Sequence, residues 1–256
     1  MSNPISRRGI FFMGIPLQVL AAKTESNEFL PLEDPALVRE MVGVSHSNLK
    51  RVRELLELKP GLVRASIDWG FGDWETALGA ASHVGNRDIA ELLLAGGAEP
   101  TIHSAAMLGH LEVVQAMVMA MPGVQRQYGP HGITLLAHAK AGGEKAAAVT
   151  SYLTELGDAG TPLPSQPVTA EERDSLVGRY EFGSGASDYF EVDVQKNQLG
   201  IKRAGGPERR MLIHSGSLVF FPSGAPWAKI AFQREGAVVS GFTLRSVGAG
   251  LSAKRV

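Results

Sequence analysis

The stretch PTIHSAAMLGH at residues 100–110 recurs in altered form at two other places in the chain. TALGAASHVGN at residues 76–86 and TLLAHAKAGGE at residues 134–144 align with it, and each places small residues ahead of a glycine. After Gly85 and Gly109, apolar residues follow at spacings of three and four, which predicts an amphipathic helix. The repetition predicts pairs of helices that stack on their neighbours, because one pair alone cannot bury its apolar face.

These three segments resemble the ankyrin repeat pattern T-P-L-H-x-A-x-x-x-G-H, and a weaker copy runs from Ser47 to Pro60. The resemblance implies an α-helical solenoid over residues 45–159 that works by binding a partner. The copies are unevenly spaced against the regular period of about 33 residues. An insertion at residues 66–75 lengthens the first interval, and extra residues at a hairpin fall on the recognition edge of a repeat protein.

In ankyrin arrays the hairpin tips and the residues just before the glycine form the concave binding face. Carried over by position, this rule predicts a face that binds a protein segment or a small molecule. Its residues are Asp68, Trp69, Phe71, Asp73, Trp74, Glu75, His83, Met107, Tyr128, His131, His138 and Lys140. Two of the protein's three tryptophans lie in one loop of this face, and tryptophan is enriched at binding hot spots. The alternative is that both tryptophans close the end of the helical core.

The sequence carries no recognised catalytic or metal-binding motif. It has no cysteine, which excludes disulfides and thiolate ligands. Four histidines could approach one another after folding, namely His83, His103, His131 and His138. Their spacing matches no HExxH or similar ligand motif, so we predict neither a metal nor a cofactor. A non-enzymatic binding protein is favoured; the alternative is a hydrolase, or an accessory subunit of an exported hydrolase, with a pocket near residues 68–75 and His83 or His131.

The N-terminus resembles an export signal. Arg7 and Arg8 precede an apolar stretch that ends near Ala22, too short for the roughly 20 residues that span a bilayer. Paired arginines before such a stretch resemble the bacterial twin-arginine signal, so residues 1–22 predict a periplasmic or secreted protein with a lead-in at residues 23–44. The alternative is a cytoplasmic protein in which these residues are native structure. A net charge of −1 gives no reason to expect a nucleic acid partner, and the oligomeric state stays open.

The C-terminal third changes from helical to alternating periodicity after a linker at residues 160–170. Eight strands are predicted, at residues 178–182, 189–194, 198–202, 210–214, 218–221, 229–233, 238–244 and 249–255. Short strands in this number favour a small antiparallel barrel or sandwich over residues 171–256, which makes the chain an α + β multidomain protein. The segments LVGRY at 176–180, LVFFP at 218–222 and VSGF at 239–242 resemble the β-domain that follows the catalytic domain of bacterial β-lactamase-like serine hydrolases. That resemblance implies a lipocalin-like module without catalytic residues.

Overall fold

The computed structural model describes residues 33–206, 208–246 and 249–256. The predicted signal segment at residues 1–22 and most of the predicted lead-in lie outside these ranges. The described chain opens with α-helices that alternate with short connections. They are α1 Pro35–Val44, α2 Leu49–Leu58, α3 Ala77–His83, α4 Arg87–Ala95, α5 Ile102–Leu108, α6 Leu111–Ala120, α7 Leu135–Ala141 and α8 Ala147–Leu156. Within these ranges no helix combines the length and apolar character needed to cross a bilayer.

One local geometry recurs at the start of α3, α5 and α7. Thr76, Thr101 and Thr134 cap these helices, and each hydroxyl accepts the backbone N–H of the residue three positions on, at 2.9, 3.1 and 3.2 Å. A threonine in this position satisfies one of the N–H groups that a helix start leaves unpaired. The repeated segments of the sequence therefore begin their helices in the same way.

Small side chains let these helices pack side by side, α3 on α5 and α5 on α7. Ala80, Ala81, Ala106 and Ala139 are fully buried in the interface layers. Gly109 adopts a left-handed φ of 77°, and a Cβ there would overlap the carbonyl oxygen of Lys145. The glycine at this place is thus required both by its own conformation and by the close approach of the next repeat.

A two-stranded hairpin leaves the helical part between α2 and α3. Its strands are β1 Ser66–Asp68 and β2 Trp74–Thr76, which pair in antiparallel register from Ser66↔Thr76 to Asp68↔Trp74. The loop between them turns tightly, with left-handed φ values at Gly70, Phe71 and Gly72. The hairpin corresponds to the insertion at residues 66–75.

The C-terminal part is a closed antiparallel barrel of eight strands, as the alternation predicted. A short helix, α9 Ala170–Ser175, precedes it. The strands are β3 Gly178–Glu181, β4 Tyr189–Gln195, β5 Gln198–Arg203, β6 Arg210–Gly216, β7 Val219–Pro222, β8 Lys229–Glu235, β9 Val238–Ser246 and β10 Ala249–Arg255. β10 closes on β3 through the pairs Lys254↔Glu181 and Arg255↔Tyr180. The α + β fold class with a barrel is therefore confirmed.

The barrel core is aromatic, and the hairpin of the helical part reaches it. Tyr180, Phe220 and Phe242 are fully buried inside the barrel. Phe71, at the tip of the hairpin, stacks on Phe190 with the ring centroids 6.3 Å apart. The indole N–H of Trp227 donates to the Phe71 carbonyl at 2.9 Å. Glu33–Val256 accordingly form one compact unit.

Acid should destabilise this unit through His138, which is fully buried on α7. Burial, with repulsion from His103, lowers the pKa of His138 from 6.5 to about 4. The unfolded chain therefore binds a proton at His138 more tightly than the folded chain does. The stability that the neutral His138 contributes is fully present above pH 6.5 and is lost as the pH falls towards 4. We expect it to account for about 3 kcal/mol of the free energy of unfolding, measured by urea denaturation in EDTA.

The His138→Leu variant should show a smaller loss of stability over this pH window than the wild type. His110→Leu, the same substitution at an exposed histidine, is the matched control. A wild-type pH dependence in His138→Leu would contradict the account.

Candidate metal centre

Four side chains with metal-binding donor atoms meet beside the hairpin. One donor atom each of His46, Glu75, His83 and His131 lies within 4.8 Å of the other three. The Oε1 atom of Glu75 is 2.9 Å from Nε2 of His83, 3.3 Å from Nε2 of His131 and 3.7 Å from Nε2 of His46. The Nε2 atoms of His46 and His83 are 3.1 Å apart.

These distances match the size of a tetrahedral metal site. An ion bonded at about 2.0–2.1 Å to each donor holds neighbouring donors about 3.3–3.4 Å apart. The four measured separations, 2.9, 3.1, 3.3 and 3.7 Å, lie on both sides of that value. The two remaining separations, which join His131 to His46 and to His83, are no more than 4.8 Å, so local side-chain movement would bring all four donors around one ion.

The four ligand candidates come from separate segments of the chain. His46 lies in the turn between α1 and α2, Glu75 in the middle of β2, and His83 at the end of α3. His131 lies in the short 3-10 helix Pro130–Gly132 that precedes α7, with φ 61° and ψ 15°. A left-handed backbone is unfavourable for a residue with a side chain, so the surrounding contacts must hold His131 in place.

Outer contacts fix the orientation of the donors. Nδ1 of His46 lies 2.9 Å from the carbonyl oxygen of Gly43, which only accepts, so Nδ1 carries the hydrogen and Nε2 keeps its lone pair in the neutral ring. The indole N–H of Trp69 donates to Oε2 of Glu75 at 2.7 Å and leaves Oε1 facing the histidines. Such outer hydrogen bonds are typical of protein metal sites.

Asp73 holds His131 in the same manner. Its Oδ1 accepts the backbone N–H of His131 at 2.8 Å, and its Oδ2 lies 2.9 Å from Nδ1 of the same residue. The Asp73 side chain is 1% exposed. A carboxylate behind a ligating histidine fixes the ring orientation and raises the basicity of the other nitrogen.

The barrel supplies the counter-charge of this carboxylate. Nη2 of Arg210 on β6 donates to Oδ2 of Asp73 and to the carbonyl oxygen of Ser223. Gly224 lies against the same carboxylate, where a Cβ would overlap Oδ2. The outer shell of the centre is therefore completed by residues more than 130 positions further along the chain.

The electrostatics of the cluster favour a positive charge at its middle. Burial opposes ionisation, but the hydrogen bonds from His131 and His83 outweigh it and lower the pKa of Glu75 to about 2. Asp73 has a lowered pKa because its bonds to His131 outweigh its burial. Burial would likewise lower the pKa of His131, yet the two carboxylates raise it to about 9. Two carboxylates thus stabilise a cation here, and a divalent ion fits the same field.

Five of the twelve predicted binding residues belong to this cluster, namely Trp69, Asp73, Glu75, His83 and His131. The other seven lie elsewhere. Asp68 binds the backbone N–H groups of its own loop, Phe71 contacts the barrel, and Tyr128 donates to Thr161. Trp74 is 61% exposed and Lys140 is exposed.

Met107 and His138 are fully buried, so their side chains pack the helical core and are not open to a partner. The two loop tryptophans, predicted either to bind a partner or to close the end of the helical core, differ in their surroundings. Trp69 turns inward and binds Glu75, whereas Trp74 points to solvent.

The sequence analysis considered four histidines that could meet after folding but did not include His46, and it predicted no metal because their spacing matches no ligand motif. One signal was available. Ser47 takes the glycine place of the first, weaker repeat, so the rule that residues before the glycine face the groove selects His46 as it selects His83. Arg210 carried no comparable signal, since only the packing of the barrel on the hairpin brings it to Asp73.

Comparisons with known proteins assign no family to the chain. No protein-family model matches it, and no curated protein sequence does. The chemistry of the converging side chains is therefore what carries a functional proposal.

Removing the guanidinium of Arg210 should weaken metal binding. In Arg210→Ala the buried Asp73 loses its counter-charge and holds His131 less firmly, so we expect the zinc dissociation constant to rise by about 10- to 100-fold. Competition with a chromophoric chelator measures it. Arg209→Ala is the matched control, because Arg209 binds Asp193 and the Gln198 carbonyl, away from the cluster. Equal affinity of the folded Arg210→Ala variant and the wild type would refute this role.

Proposed function

We propose that this chain is a metal-binding protein that holds one divalent transition-metal ion with His46, Glu75, His83 and His131. The observation that carries the proposal is the convergence of four donors from four separate segments, all within 4.8 Å of one another. One carboxylate oxygen, Oε1 of Glu75, lies within 3.7 Å of the Nε2 atom of each of the three histidines.

The donor set favours zinc. Three imidazole nitrogens and one carboxylate oxygen suit zinc, iron, copper or nickel, whereas magnesium and calcium prefer oxygen ligands. Zinc accepts four-coordinate tetrahedral geometry with nitrogen and oxygen donors, and four of the six donor separations lie within about 0.5 Å of the value that this geometry requires. We therefore expect zinc among the ions that bind.

The bound ion would connect distant parts of the helical region. It would tie the turn after α1 to the hairpin, to the end of α3 and to the turn before α7. Four protein ligands are typical of structural zinc sites, in which binding energy adds to folding energy. The primary role proposed for the ion is thus to hold these segments and the hairpin in one arrangement.

Hydrolysis by a metal-bound water is a second candidate function. The side chains of His46 and His131 are 28% and 29% exposed, so solvent reaches this side of the centre. If a water occupied a further coordination position beside the four protein ligands, a zinc ion would lower the pKa of that water and supply a hydroxide nucleophile near neutral pH. The alternative hydrolase was predicted to act near residues 68–75 and His83 or His131, and Glu75, His83 and His131 are three of the four donors.

We further propose that the helical part is an ankyrin-type array that presents this centre. The repeated threonine caps and the stacking of α3, α5 and α7 support that proposal. The proposal includes a concave face that recognises a protein segment or a small ligand, on which Trp74 and Lys140 are exposed. It also includes export of the protein through the twin-arginine-like N-terminus.

Metal titration of the whole chain tests the main proposal. After treatment with EDTA and dialysis, we expect the wild type to take up one zinc ion per chain. His46→Ala, His83→Ala, His131→Ala and Glu75→Gln should each lose more affinity than the ~10- to 100-fold expected for an outer-shell change, because each removes a direct ligand. Circular dichroism in EDTA checks that the variants fold.

His110→Ala is the control, since His110 is exposed and lies at the start of α6. Unchanged zinc uptake in the four ligand variants would rule out the site. The same proteins distinguish the structural role from the hydrolase role. Hydrolysis of p-nitrophenyl esters that requires zinc and disappears in His83→Ala supports the hydrolase. If the zinc-loaded wild type does not hydrolyse these esters, the structural role is supported.

A further inference from the structure

A cavity lies where the hairpin meets one end of the barrel. This cavity, of about 360 Å³, is lined by Phe71 of the hairpin and by Phe182, Phe190, Leu244 and Leu251 of the barrel. The barrel residues fall at the end of β3, the start of β4, the end of β9 and the start of β10, which all meet at this end. None of them belongs to the metal centre.

The walls of this cavity are apolar and largely aromatic. Phe71 stacks on Phe190 with an interplanar angle of 23°, and the Phe182 and Phe190 ring centroids are 5.1 Å apart. Ligand sites in proteins are concave, mostly apolar and about 300–1,000 Å³ in volume. The cavity is therefore large enough for a small apolar molecule.

Three charged side chains line the rim, and two of them are already engaged. Asp68 accepts N–H groups of Gly70 and Gly72 at 2.8 and 3.1 Å. Glu208 lies 3.8 Å from Arg39. The guanidinium of Arg203 lies 5.3 Å from the centre of the Phe182 ring. No carboxylate of the described residues forms an ion pair with it, so Arg203 is available to an anion.

We propose that this cavity binds an apolar molecule that ends in a carboxylate, such as a medium-chain fatty acid. The hydrocarbon chain lies among the phenylalanine and leucine side chains, and the carboxylate pairs with Arg203. An arginine fork matches the two oxygens of a carboxylate, which an alcohol or an ammonium group cannot reproduce. This activity goes beyond metal binding and does not depend on it.

Calorimetric titration of the full chain in EDTA with three probes of equal chain length tests the proposal. Decanoate should bind one per chain, 1-decanol more weakly and decyltrimethylammonium weakest. Octanoate should bind about 15-fold more weakly than decanoate, since each buried methylene contributes about fourfold. Arg203→Gln should reduce decanoate affinity by roughly tenfold or more and leave decanol affinity unchanged.

Arg179→Gln is the matched control, because the Arg179 guanidinium lies 3.8 Å from the centre of the Tyr189 ring and outside the cavity. Leu251→Trp, which fills the cavity, should lower the affinity for all probes. The proposal is overturned if decanoate does not saturate one site, if Arg203→Gln binds it as the wild type does, or if the ammonium probe binds best. His83→Ala should bind decanoate as the wild type does. A failed decanoate titration therefore counts against the cavity proposal alone, and a failed zinc titration against the metal proposal alone.

Discussion

The structure depends on one buried carboxylate, that of Asp73. Its Oδ1 accepts the backbone N–H of His131, and its Oδ2 contacts both the imidazole of His131 and the guanidinium of Arg210. A buried charge is tolerated only when its partners replace the water it has lost. Those partners come from the helical part and from the barrel. The same interaction that joins the two parts also holds His131, a proposed metal ligand, in its left-handed backbone conformation.

The hairpin formed by β1 and β2 carries most of the chemistry because its residues point in different directions. Glu75 supplies the central oxygen donor, Trp69 fixes that carboxylate, and Phe71 closes the cavity at the end of the barrel. The loop can turn this tightly because Gly70 and Gly72 accept φ values of 117° and 83° without steric cost. The proposed metal centre and the cavity thus use different side chains of one short element.

The regular elements could be predicted because they follow from local patterns. Alternation placed all eight barrel strands within a few residues of their observed bounds, and the repeated Thr and Gly positions placed α3, α5 and α7. The irregular repeat spacing predicted that function lies at the insertion, residues 66–75, and both the proposed metal centre and the cavity include residues of this segment. Local patterns carry no information on which loops meet, and for this reason the cluster of His46, Glu75, His83 and His131 could not be predicted from the sequence. His46 and His131 are brought together only by the stacking of the helices, and Arg210 only by the packing of the barrel on the hairpin.

Anomalous diffraction at the zinc absorption edge, from crystals of the full chain grown with zinc, tests the central claim most directly. The account predicts one strong peak bonded at about 2.0–2.1 Å to Nε2 of His46, His83 and His131 and to Oε1 of Glu75. No peak among these four atoms, with zinc found only at other histidines such as His110 or His214, would contradict it. The cluster would then be a hydrogen-bonded network around a protonated His131.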